Sequence, residues 1–177
     1  MRSNPLIILF GVLLATMLTL GADERRVERD TKTIAPANSV AQARARAMLL
    51  HESMRGTLQV VHRDFFDEDD AHEIPSASLE EVFDELAKMY DVDLKWLIVE
   101  TDLINVDHQA EGEFEKSAVI ALKKGDKRYE AWEKGRYRFA GPIRLGAQCL
   151  KCHVKHRKST EPRTAGLLIS MPLNVKQ

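Results

Sequence analysis

The two cysteines of this 177-residue chain stand three positions apart, in Cys149-Leu150-Lys151-Cys152-His153. A pair so close cannot staple distant parts of a small secreted fold, which takes more cysteines at wider spacing. The fold must therefore rest on a hydrophobic core, and the chain is long enough to bury one such core in a single domain. The cysteine pair calls for a chemical explanation instead.

Residues 1–22 read MRSNPLIILFGVLLATMLTLGA, with Arg2 ahead of an unbroken apolar run from Leu6 to Leu20 and the small residues Gly21 and Ala22 at its end. That is the pattern of a secretory signal peptide. Leu20 is a poor residue near a cleavage point, and Leu6 to Ala22 just reaches the short end of a spanning helix, so a membrane anchor stands as the alternative. Either reading puts the body of the chain outside the cytoplasm, periplasmic or secreted, with membrane contact only if the leader is retained. The net charge is −1, and nothing in it points to nucleic acid.

Residues 23–38 lack apolar periodicity and contain Pro36, as expected of a linker. From Ser39, a candidate N-cap, apolar residues recur at helical spacing to about Phe66 and predict a long N-terminal helix. The acidic stretch 67–75 then breaks it. Ser78-Leu79-Glu80-Glu81 has the form of a capping box and predicts a helix over 79–90. Residues 92–101 read as a strand, 113–124 as a shorter helix, 128–132 and 136–139 as a hairpin separated by Glu133-Lys134-Gly135, and 165–171 as a final strand. Helices early and antiparallel strands late define an α+β domain over 39–177. Trp132, Tyr137 and Phe139 are expected in its core.

Acids dominate between Asp64 and Glu115, where Lys88 and Lys95 are the bases, while Lys123 to Arg163 is strongly basic. Two readings follow: the halves neutralise one another by packing, or the basic half forms a docking surface for an acidic partner.

C-x-x-C-H is the spacing of c-type haem attachment. Two thiols separated by two residues reach the two vinyl groups on one porphyrin edge, and the next residue, His153, offers an imidazole to the iron. One covalent haem c, on Cys149 and Cys152, is the expectation. Export agrees with it, since such attachment takes place outside the cytoplasmic membrane. A redox C-x-x-C lacks its usual βαβ setting here. A small zinc-binding domain, using Cys149, Cys152, His153 and His156, is the remaining rival.

The stretch Gly141-Pro142-Ile143-Arg144, leading through Gln148 into C-L-K-C-H, resembles an exported family of c-type-haem-binding, PAS-like domains of unknown function. The resemblance covers about residues 39–175. It implies a PAS-like antiparallel sheet with flanking helices, a haem seated against the sheet, and a role in redox or small-ligand sensing.

The ligand opposite His153 decides the chemistry. His51, Met54, Leu58 and His62 recur along the first helix, with His51 and His62 about 20° apart around the axis and about 16 Å apart along it, so only one of them can reach the iron. His51 lies among Met48, Leu49, Leu50 and Met54 and is the first candidate; His62, beside Arg63 and Asp64, and Met54 are the alternatives, and an open position is the fourth. His72, His108 and His156 read as surface residues. Arg136, Arg138 and Arg144 are candidates to pair with haem propionates.

Two function classes follow. Iron with two protein ligands suits electron transfer or redox sensing with an unknown redox or signalling protein as partner, and no catalytic residue is expected. A five-coordinate haem would instead sense a diatomic gas or peroxide.

Overall fold

The computed structural model describes residues 34–65, 74–102, 105–154, 156 and 158–175, all within one compact unit spanning Lys32–Gln177. The expected signal segment, most of the linker, and His72 lie outside the described residues. Among the described residues, no helix is long and apolar enough to cross a membrane.

The first helix, α1, runs Val40–Asp64. Ser39 caps it: its hydroxyl accepts the Gln42 N–H at 3.1 Å, while the Gln42 side chain accepts the Asn38 N–H at 2.7 Å. Both bonds satisfy donors that a helix start leaves orphaned. Its buried stripe is Ala43, Ala47 and His51, four residues apart on one face. The two alanines let the helix axis approach the sheet closely.

Helix α2, Pro75–Tyr90, starts a turn earlier than the capping box predicts. Pro75 takes the first helical position, where its missing N–H costs nothing, and the Ile74 carbonyl receives the N–H groups of Ala77 and Ser78. Ser78 therefore sits inside the first turn rather than capping it. Strand β1 spans Asp93–Leu97, a 3-10 turn Val106–His108, helix α3 Gly112–Lys123, strand β2 Tyr129–Glu133, strand β3 Arg136–Leu145, the one-turn helix α4 Leu150–His153 and strand β4 Arg163–Pro172.

The strands form one antiparallel sheet in the order β1-β4-β3-β2, so the molecule is α+β as expected. Lys134 and Gly135 make the two-residue turn between β2 and β3 with φ of 49° and 77°, the backbone a tight hairpin demands. Strand β3 extends well beyond the sequence expectation, through Pro142. Its pairing with β2 ends at Ala140, which leaves β3 a free side from Gly141 onward, where a proline is tolerated.

Alternation along the strands creates two faces. Tyr137, Phe139, Ile143 and Leu145 of β3 join Leu167, Ile169 and Met171 of β4 and Trp96 of β1 on the face covered by α1 and α2. Ala140, Leu168 and Leu97 occupy the other face, beneath Ala118 and Leu122 of α3. Tyr137 and Phe139 are thus core, as expected, whereas Trp132 is 55% exposed because β2 is an edge strand. The expected linker also ends inside the fold: Ala37 is fully buried and bridges Leu173, its N–H donating to the Pro172 carbonyl and its carbonyl accepting from Asn174.

Acidic and basic elements meet in pairs. Arg44 of α1 grips Glu130 of β2, its Nε lying 3.0 and 2.9 Å from the two carboxylate oxygens. Lys95 meets Glu115 at 3.0 Å, and Arg136 meets Asp91 at 2.8 Å and Asp93 at 2.6 Å. Of these pairs, those of Arg136 join the basic segment to the acidic one, and mutual neutralisation accounts for that part of the charge asymmetry.

Candidate functional site

After β3 the carbonyl of Gly146 receives the N–H groups of Cys149 at 3.0 Å and Leu150 at 3.3 Å, winding the chain into α4. The Cys149 carbonyl accepts the His153 N–H at 3.1 Å, and the His153 carbonyl accepts the Asp102 N–H at 3.0 Å. The motif is thereby tied to the segment that leaves β1. Leu150 is 1% exposed and belongs to the first-face core. Cys149 and Val154, with Met54 and Leu58 of α1, pack against that same cluster. Cys152 lies on the α4 turn with its side chain outside the described residues, and Cys149 is a free thiol.

Helix α1 runs toward this turn. Arg44 reaches Glu130, which is paired with Phe139. Farther on, His51 packs edge-on against the Phe139 ring, centroids 5.6 Å apart. Met54 and Leu58 follow. His51 is 5% exposed. Its Nδ1 lies 3.3 Å from a Glu52 carboxylate oxygen, and Glu52 in turn accepts from Arg55 at 2.9 and 2.6 Å. Its Nε2 has no hydrogen-bond partner, and among the described residues it is the single buried side-chain polar atom so orphaned. Burial lowers the His51 pKa; Glu52 and the Gly141 backbone oppose this without reversing it.

His153 is half-buried. Burial lowers its pKa first, and charge on His62 and His108 adds to the effect. Both candidate imidazoles are therefore neutral at pH 7, the form in which an imidazole can ligate iron. His62 is half-buried within electrostatic reach of His153. His108 is not the surface residue expected, since its Nε2 lies 2.7 Å from Glu80 and its side chain is 23% exposed. No sequence signal flagged that pairing, because a separation of 28 positions gives no local hint of it. His156 is exposed.

The arginines lie on the other face of the sheet. Arg136, Arg138 and Arg144 occupy the alternate positions of β3, opposite in direction to Tyr137, Phe139 and Ile143, and so belong to the α3 face rather than the one carrying Cys149. Arg136 is committed to Asp91 and Asp93. Arg138 stacks over the Phe114 ring at 4.3 Å, with Glu115 at 3.5 Å. Together with Lys95 they border an open cavity of about 390 Å³ on that face. Arg144 is exposed. Arg136 and Arg138 are thus engaged by partners on the α3 face.

The donor set fits a haem. It comprises a free half-buried thiol on an apolar cluster, a neutral half-buried imidazole at the end of the same turn, and a second neutral imidazole whose Nε2 is orphaned on the same sheet face. Among the described residues no group of three or more His, Cys, Asp or Glu is placed to hold a metal ion; the zinc alternative also draws on Cys152, whose side chain lies outside them.

A four-stranded antiparallel sheet with helices on both faces and a C-x-x-C-H turn packed on one of them defines a PAS-like α+β domain. The chain belongs to the Tll0287-like family, whose model matches residues 36–168. The crystal structure of the cyanobacterial heme-protein Tll0287 superimposes with a TM-score of 0.51 at 14% identity, covering 76% of this chain and 96% of that one. That match shows a shared fold. No curated protein matches the chain.

Proposed function

We propose that this is an exported protein carrying one c-type haem, bound by thioethers from Cys149 and Cys152 and by His153 as one axial ligand, and working in electron transfer or redox sensing. The observation that carries the reading is the orphaned Nε2 of buried His51, on the same sheet face as Cys149 and the turn bearing His153. A buried unsatisfied nitrogen costs about 1–3 kcal/mol, a cost that coordination to iron removes. His51 is accordingly the second axial ligand in this reading. Family membership and the likeness to a heme-protein support the cofactor.

When bound, the haem supplies a one-electron iron couple. Cys149 and Cys152 make its attachment permanent. His153 donates from a turn fixed by Asp102, and the apolar side chains about Met54, Leu58 and Val154 exclude water, which favours the less charged iron state. Two imidazoles supplied by the chain, His153 and His51, would leave the iron no open site for turnover of a substrate. Covalent attachment requires maturation outside the cytoplasm, in keeping with residues 1–22 acting as an export leader.

Intact mass of protein matured in a haem-attaching host tests this directly. The expected result is a gain of one haem that survives denaturation and is lost in Cys149→Ser/Cys152→Ser. A mass equal to the bare polypeptide, or colour that extracts with acid solvent, overturns it.

A further inference from the structure

Gly141 lies on the first face of β3, next to Phe139 on that side. Its φ is outside the left-handed region, so its backbone does not require glycine, and a glycine inside a strand is destabilising relative to alanine. The reason for it is steric. A Cβ built there would lie 2.5 Å from His51 Nε2, 2.6 Å from His51 Cδ2 and 2.9 Å from Phe139 Cε1. The imidazole occupies the space a side chain would need. On its other edge, Nδ1 faces Glu52, a carboxylate anchored by Arg55. An ionised carboxylate only accepts, so the contact with Glu52 favours the tautomer with the proton on Nδ1 and the lone pair on Nε2, against the pull of the Gly141 backbone on the ring.

We infer that Gly141 and Glu52 are positioning residues for His51: Gly141 gives the ring its seat on β3, and Glu52 selects the tautomer that leaves Nε2 free to coordinate iron. The inference rests on the haem reading above. A carboxylate behind a ligating imidazole also raises its donor strength.

The test uses the haem-loaded full chain and its optical spectrum, with intact mass as control for loading. Gly141→Ala is expected to retain covalent haem but lose the low-spin bands, with added imidazole restoring them, as in His51→Ala. Gly56→Ala, where a Cβ meets nothing within 4 Å, leaves the spectrum unchanged. Glu52→Gln, an exposed helix position that does not threaten folding, keeps the low-spin spectrum and shifts the midpoint potential upward, because a weaker donor stabilises ferric iron less. This second variant decides the matter if Gly141→Ala does not fold.

A Gly141→Ala protein with wild-type bands, or Glu52→Gln with an unchanged potential, overturns the inference while leaving the haem reading intact. Wild-type protein without covalent haem overturns both.

Discussion

The Tyr137 hydroxyl donates to Glu130 at 2.6 Å, although the tyrosine ring is fully buried. The same carboxylate receives Arg44, so one acidic side chain on the edge strand locks α1 onto the sheet. Its pKa is lowered to about 2, chiefly by the Arg44 hydrogen bond and then, against burial, by Tyr137. The burial of Tyr137 and its bond to Glu130 push the phenol upward. Because α1 also carries His51, this lock bears on the site.

Tyr137→Phe keeps the ring in the core and removes one hydrogen bond to a charged group, a loss of about 1.5–3 kcal/mol. Urea denaturation should show a lower midpoint with an unchanged slope. Arg44→Ala should cost at least as much, since it removes the closer cation and leaves Glu130 only Arg128 at 3.4 Å. A midpoint equal to wild type in both variants would mean that packing alone seats α1.

The pH dependence of the unloaded protein has two limbs. His51 and His153 have folded pKa values below their ordinary 6.5, so the unfolded chain binds protons first, and their stabilisation is present above pH 6.5 and lost as pH falls below it. Glu130 acts in the same direction farther down, between 4.5 and about 2. Tyr137 acts in the opposite sense: its raised pKa means stability lost as pH rises above 10. Thermal melting across pH should show a plateau between about 6.5 and 10, with Tyr137→Phe removing most of the alkaline limb. His51→Ala should flatten the first acid limb.

The three α1 donors separate by spectrum. His51→Ala in haem-loaded protein is expected to convert low-spin iron to high-spin and admit carbon monoxide, while Met54→Leu and His62→Ala leave the bands in place. A spectrum that changes with Met54→Leu instead would move the ligand one turn along the same helix. High-spin wild-type protein that binds carbon monoxide would favour the five-coordinate sensor.

Element types were legible wherever one face is apolar at a clear period. Ser39 as the cap of α1, the Lys134-Gly135 turn and the short span of α3 all follow from local chemistry. Boundaries were lost where tertiary pairing decides. Residues 98–101 read as strand, yet the Ile98 N–H turns to the His108 carbonyl, and Glu100 binds Thr164 through both backbone and side chain. The cysteine motif could be read from spacing alone, and His51 stood out by its apolar neighbours. For the arginines, alternation tells which residues share a face but not which face the cysteine turn packs on. That choice is set by Leu150 of α4 entering the same core that α1 covers, a long-range relation with no local trace.

Leu150, between the two cysteines, provides the last test. Helix α4 has four residues and no side-chain cap, far below the length at which a helix holds itself. Its position therefore derives from its contacts, and Leu150, 1% exposed in the first-face core, is the strongest of these. Leu150→Ala is expected to destabilise the unloaded protein by about 2–4 kcal/mol through the lost burial and the cavity left behind, whereas Gln148→Ala, exposed on the same turn, stays within about 0.5 kcal/mol of wild type. Because the two thiols must meet a porphyrin together, the loosened turn should also raise the fraction of protein carrying no haem, read by intact mass. A Leu150→Ala protein as stable and as fully loaded as wild type would show that the backbone bonds to Gly146 and Asp102 suffice to hold the turn.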